Sequence, residues 1–213
     1  GLYKYMKTPK YLSSLLHNEL PGMVTELNRV INNSFGVFPY KGIKMKAVLF
    51  TETKTQTDSV FYQWPQKITW NDFKGKPNLN SNASAETGSG FTYSTFAEIK
   101  DGYLNVSVIV KCFLLTQLSW VKPELSTEYV LAHEQLHFDI NFLGAVKFID
   151  SIGRARFTVS NWQHELENIN EAEFIETTSM QKDYDSATNH GRKGKAQQSW
   201  QKNIQAMLKE NLP

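Results

Sequence analysis

The chain has 213 residues, 40% of them hydrophobic and 13% aromatic, enough for a real core in one domain or one domain with an appendage. Its 23 Lys and Arg face 21 Asp and Glu, a formal net charge of +2 without long like-charge runs, which argues against nucleic acid or an anionic membrane as the main partner. A single cysteine, Cys112, excludes an internal disulfide and any CxxC metal site, and leaves the compartment open.

Residues 1–40 read as a helical N-terminal appendage, amphipathic through Tyr11, Leu12, Leu15 and Leu16, then Met23, Val24, Leu27, Val30 and Ile31 after the break at Pro21-Gly22. His17 has no second ligand at helical spacing and reads as solvent-facing or capping. The chain begins at Gly1 without an initiator Met, so the expectation is that something upstream, a signal peptide or an anchor, has been trimmed away.

Residues 41–213 read as one domain. Short β-type runs, Met45 to Phe50 and Ser59 to Tyr62, predict a hairpin across a polar Thr/Lys/Gln turn. Ile68 to Pro77 predicts a strand ending in a turn, with Trp70 and Phe73 in the core, and a loop rich in Asn, Ser and Gly follows as far as Gly90. Two long strands, Phe91 to Lys100 and Tyr103 to Trp120, are joined by Asp101-Gly102, a strong hairpin signal. Leu104, Val106, Val108, Val110, Cys112 and Leu114 alternate onto one face of the second strand, which makes Cys112 a core residue. Val106 to Trp120 is the most apolar stretch, but Lys111, Thr116 and Gln117 interrupt it, so no segment reads as a membrane span.

The next segment carries the chemistry: His133-Glu134-Gln135-Leu136-His137, an HExxH sequence inside a helical pattern. Imidazoles at i and i+4 project from one helical face and can reach one cation, with Glu134 leaning toward the same side. Neutral imidazoles bind Zn²⁺ at about 2.0–2.1 Å, and three protein ligands leave a position for water whose pKa the metal lowers. Glu134 is then the general base. Ala132, Leu136, Ile140 and Leu143 form one apolar stripe, and Leu131, Phe138, Phe142 and Val146 lie on other faces, so the helix is expected to be buried on most sides until Gly153 ends it. A second helix is expected from Asn161 to about Lys182, with His164 on its polar side. A loop from Tyr184 to Gly191 and a last helix carrying Trp200, Ile204, Met207 and Leu208 follow.

Three arrangements compete for the third zinc ligand. The extended HExxHxxGxxH motif fails, because positions 140 and 143 are Ile and Leu. Glu171 on the second helix is a second option, although helical Glu residues are more often solvated. His190, in a loop beside Gly191, is the third. Tyr184 is a candidate oxyanion stabiliser by its nearness to His190, or else a tyrosine packed on the core.

Trp70-Asn71-Asp72-Phe73-Lys74-Gly75-Lys76-Pro77, Ala85-Glu86-Thr87, Ser119-Trp120, His133 to Asp139, and Tyr184-Asp185 with Thr188, His190-Gly191 and Trp200 together span roughly residues 45–208. In these pieces the chain resembles a bacterial family, a domain of unknown function described as predicted secreted zinc-dependent proteases. The resemblance implies that His133, His137 and His190 bind one zinc ion, that Glu134 is catalytic, and that the protein is exported to the periplasm, envelope or exterior.

The sequence therefore predicts an α+β domain of the zincin kind, an antiparallel sheet packed on the HExxH helix with further C-terminal helices. The leading function is a zinc metallopeptidase acting on peptides or proteins. The alternative is a non-catalytic, zinc-stabilised envelope binding module, in which the metal contributes folding energy.

Overall fold

Alternation dictates the centre of the sheet. Along β5 (Tyr103–Leu115), Val106, Val108, Val110, Cys112 and Leu114 recur at period two and are all buried. The computed structural model describes residues 40–50, 58–65 and 67–211. The chain divides into two compact units after Lys41, and the helices expected before residue 40 lie outside the described residues.

β4 (Ser89–Lys100) pairs antiparallel with β5 from Ser89↔Leu114 to Lys100↔Tyr103. Asp101 and Gly102 turn the corner with φ of 57° and 80°, the paired positive values that an Asp-Gly hairpin turn favours. β1 (Gly42–Leu49) runs parallel to β5, from Gly42↔Tyr103 to Leu49↔Val110. β2 (Ser59–Phe61) is antiparallel to Phe113–Leu115. Because β4 follows one edge of β5 throughout, β1 and β2 share the other edge, end to end.

The sheet is thus mixed, where an antiparallel one was expected, and β1 and β2 do not form the expected hairpin. Both differences have one origin. The Asp-Gly turn determines the β4–β5 pairing alone, and the chain between β1 and β5 is long enough for the crossover a parallel pair requires. Phe50 N donates to Val110 O (2.8 Å) and Tyr62 N to Cys112 O (2.9 Å), so both flanking segments also bond to β5.

β5 ends at Leu115, short of the expected Trp120, because the backbone turns there. Leu118 N and Ser119 N both donate to Leu115 O, at 3.1 and 3.0 Å. The chain then forms β6 (Trp120–Val121), which pairs antiparallel with β3 (Ala85–Glu86). Gly75 lies so close to this turn that a Cβ there would stand 2.6 Å from Gln117 O. Phe73 enters the core with Trp70 packed against it, as the aromatic pattern predicts.

α1 (Glu128–Arg154) starts at Thr127, whose Oγ1 accepts from Val130 N at 3.3 Å, with Glu128 in the first turn. It does not stop at Gly153, which lies inside its last turn. One side of α1 packs on β1, β4 and β5, where the Tyr62 ring stacks on Phe142 at 3.9 Å. The other side meets α2 (Trp162–Thr188) and α3 (Gly194–Asn211). Gly144 permits the approach to α2: a Cβ at this position would sit 2.2 Å from Thr177 Oγ1.

α2 continues about six residues beyond its expected end near Lys182. The polar run Asp183-Tyr184-Asp185-Ser186 resembles a loop in composition, but Tyr184 and Thr188 are fully buried and hold the last turns in place. The result is an α+β protein with a small mixed sheet and, among the described residues, three α-helices. None of them is long and apolar enough to cross a membrane.

Candidate metal centre

The i, i+4 spacing on α1 brings His133 and His137 together with their Nε2 atoms 3.2 Å apart. α2 adds a third donor that the sequence reading did not assign. Asp185 Oδ1 lies 3.3 Å from His133 Nε2 and 3.1 Å from His137 Nε2. Among the described residues these three side chains are the one group of His, Cys, Asp or Glu that could hold a metal ion. A tetrahedral site with arms of about 2.0–2.1 Å has edges of roughly 3.3 Å, so two imidazoles and a carboxylate at these separations fit a zinc ion.

The longer α2 explains the placement. Gln181, Tyr184, Asp185 and Thr188 fall at i, i+3, i+4 and i+7, one helical stripe directed at α1. Gln181 Nε2 donates to the His137 carbonyl at 2.8 Å, and its Oε1 accepts from His137 Nδ1. This clamp directs His137 Nε2 toward the cluster. Tyr184 stacks on His133 with centroids 4.7 Å apart, meets His137 edge-on at 5.0 Å, and directs its hydroxyl to the His133 carbonyl at 3.5 Å. At 0% exposure Tyr184 has no surface to offer a substrate oxyanion; it packs behind the imidazoles. Burial, followed by the Glu134 charge, pushes its phenol pKa well up.

Glu134 is buried at 4% exposure, and its Oε2 accepts a 2.6 Å hydrogen bond from Thr87 Oγ1. Thr87 follows β3 and is held there because Gly88 N donates to Ser119 Oγ at 3.0 Å. The Ala85-Glu86-Thr87 and Ser119-Trp120 pieces, far apart in sequence, therefore converge on the carboxylate of the HExxH motif.

His190, expected as the third ligand, stands next to the cluster through Asp185 and is not one of its three donors. Asn189, His190 and Gly191 all have positive φ (51°, 53° and 77°), a left-handed run that ends α2, with Asn189 and His190 exposed and Gly191 buried. The His190 side chain is 60% exposed, and its Nδ1 lies 3.6 Å from Asp185 Oδ2. It therefore faces the outer oxygen of Asp185, while Oδ1 of the same carboxylate faces the imidazole pair. Glu171 is exposed on α2, outside the cluster, and His164 is exposed near the start of that helix.

The electrostatics couple the three donors. Burial opposes the charge of Asp185, but hydrogen bonds from His133 and His137, together with their charges, hold its carboxyl well below the usual range. Burial likewise opposes protonation of His137; the hydrogen bond to Asp185, the charges of Glu134 and Asp185 and the bond to Gln181 outweigh it and raise its pKa. A recess of about 430 Å³, lined by Lys182, Asp185, Ser186, Asn189 and His190, opens beside the cluster.

Asp185, Gln181 and Thr87 carried a readable signal only in part. Asp185 and Thr87 stand in the motif pieces, and Gln181 precedes Asp185 by one helical turn, but placing them needed the true end of α2 and the β3–β6 pairing. No family model, curated protein or solved structure matches the chain.

Proposed function

We propose that this chain is a zinc-dependent peptidase of the zincin kind, with His133, His137 and Asp185 as the protein ligands and Glu134 as the general base. The observation that carries the reading is the triangle of donor atoms with sides of 3.1–3.3 Å next to a buried glutamate of the HExxH motif. Three protein donors also favour catalysis over the binding-module alternative, since a structural zinc site closes its coordination with a fourth. The zinc ion, when bound, supplies Lewis acidity toward a scissile carbonyl and acidifies water.

The chain's own residues do the rest. Gln181 and Tyr184 hold the imidazoles, and Asp185 contributes negative charge opposite them. Thr87 occupies Glu134 Oε2, so Oε1 takes the proton from water and returns it to the leaving amine. His190, exposed beside the recess, faces an incoming peptide rather than the ion. The motif pieces further support an exported protein acting on peptides or proteins.

The test pairs two measurements on protein purified without added metal: metal content, and cleavage of a mixed peptide library. Wild type should carry close to one equivalent of zinc and cleave, whereas Glu134→Gln should keep the zinc and lose cleavage. Equal cleavage by the two proteins would remove Glu134 as the base, and none by a zinc-loaded wild type would return the chain to the binding-module reading.

A further inference from the structure

His133 Nδ1 is buried and has no hydrogen-bond partner, and the same is true of Gln197 Oε1 on α3. The two atoms face one point. A side-chain carbon built on Gly191 would stand 3.3 Å from His133 Nδ1 and 3.3 Å from Gln197 Oε1, so they are no more than twice that distance apart. Gln197 is 3% exposed, and its Nε2 already donates to Tyr129 O at 3.2 Å, which commits the amide orientation and leaves Oε1 on the His133 side. Tyr129 Oη in turn donates to Gly191 O, tying the same loop to α1.

An imidazole that ligates a metal through one nitrogen almost always donates its other N–H to an acceptor, which sets the tautomer and the ring orientation. His137 meets this requirement through Gln181. We propose that Gln197 Oε1 is the corresponding acceptor for His133 Nδ1–H, directly or through one water, reached across the space that glycine at position 191 keeps open. Gln197 is then a positioning residue for the metal ligand His133, and α3 joins the site although it carries no ligand. The inference rests on the zinc reading above.

Zinc dissociation constants, read by chelator competition, separate this role from a structural one when Gln197→Met and Gln197→Glu are compared with wild type. Methionine removes both the acceptor and the bond to Tyr129; glutamate keeps an acceptor and loses only that bond. Gln197→Met should weaken zinc binding about 10- to 100-fold, and Gln197→Glu should restore wild-type affinity or better. In NMR spectra of zinc-loaded protein the His133 Nδ1–H proton should lie downfield in wild type and further downfield in Gln197→Glu, the mark of a hydrogen bond to an acceptor, whereas ligation through Nε2 alone protonates Nδ1 without that shift.

Equal weakening in both variants, tracking a fall in metal-free Tm, would assign Gln197 to the Tyr129 contact and overturn the proposal. So would unchanged affinity in Gln197→Met, or a wild-type His133 ring protonated at Nε2. If Gln197→Met fails to fold, the glutamate variant and the wild-type spectrum still decide. A wild type that takes up no zinc at all overturns the zinc reading itself, a result distinct from any of these.

Discussion

Thr87 and Glu134, 47 positions apart in sequence, meet through a 2.6 Å hydrogen bond from hydroxyl to carboxylate inside the core. A hydrogen bond to a charged group is worth about 1.5–3 kcal/mol. Thr87→Val keeps the shape and removes the donor, so it should leave zinc content unchanged and lower kcat for peptide cleavage about 10- to 100-fold. A kcat within a factor of two of wild type would remove Thr87 from the machinery.

Asp185 and His190 make opposite predictions. Asp185→Ala deletes the third corner of the donor triangle and should strip zinc at neutral pH. His190→Ala should retain the metal and reduce cleavage, because its side chain faces the outer oxygen of Asp185 and the recess. Glu171→Ala should change neither. Zinc measured by emission spectrometry after dialysis decides the matter, and loss of metal in His190→Ala alone would make the histidine the ligand.

The two shifted groups give the metal-free protein a defined pH response. The His137 pKa is raised in the fold, so its contribution to stability is present below the unfolded value near 6.5 and is lost as pH rises through the folded one. The Asp185 pKa is lowered, so its contribution is present above about 3.9 and is lost as pH falls through the folded value. Zinc competes with protons for the same atoms. Between pH 6 and 8 the Tm of chelator-treated protein should therefore fall relative to that of zinc-loaded protein. Two curves that stay parallel across this range would show that the ion and the protons do not share these groups.

Gly144 lets α1 and α2 approach closely, with the space for a Cβ taken by Thr177 Oγ1 at 2.2 Å and Phe91 Cε1 at 3.0 Å. Alanine there gains about 1 kcal/mol in helix propensity but overpacks the contact, at about 1–3 kcal/mol. Gly144→Ala should lower stability in urea, and adding Thr177→Ala should recover most of the loss. If the single variant is more stable than wild type, the helices have room to part.

The legible and illegible parts of this fold divide along locality. His133, Glu134 and His137 could be read because five consecutive residues on one helix determine their geometry. The β4–β5 hairpin could be read because the Asp-Gly turn determines its register. The partner of β1 could not, since nothing near Met45 specifies whether its neighbour is β2 or the distant β5. Asp185 was hidden for a related reason. Its role depends on α2 reaching Thr188, and that depends on burying Tyr184 against His133 and Trp200, contacts between residues far apart in sequence.

The donors are split unevenly between helices, two on α1 and one on α2. Helical geometry in α1 alone pairs the two imidazoles, whereas the third donor stands beside them only where α2 packs on α1. On the zinc reading, a gain from weak to tight capture would report tertiary docking rather than helix formation, and a bound ion would cross-link two helices that residues 155–161 join in sequence.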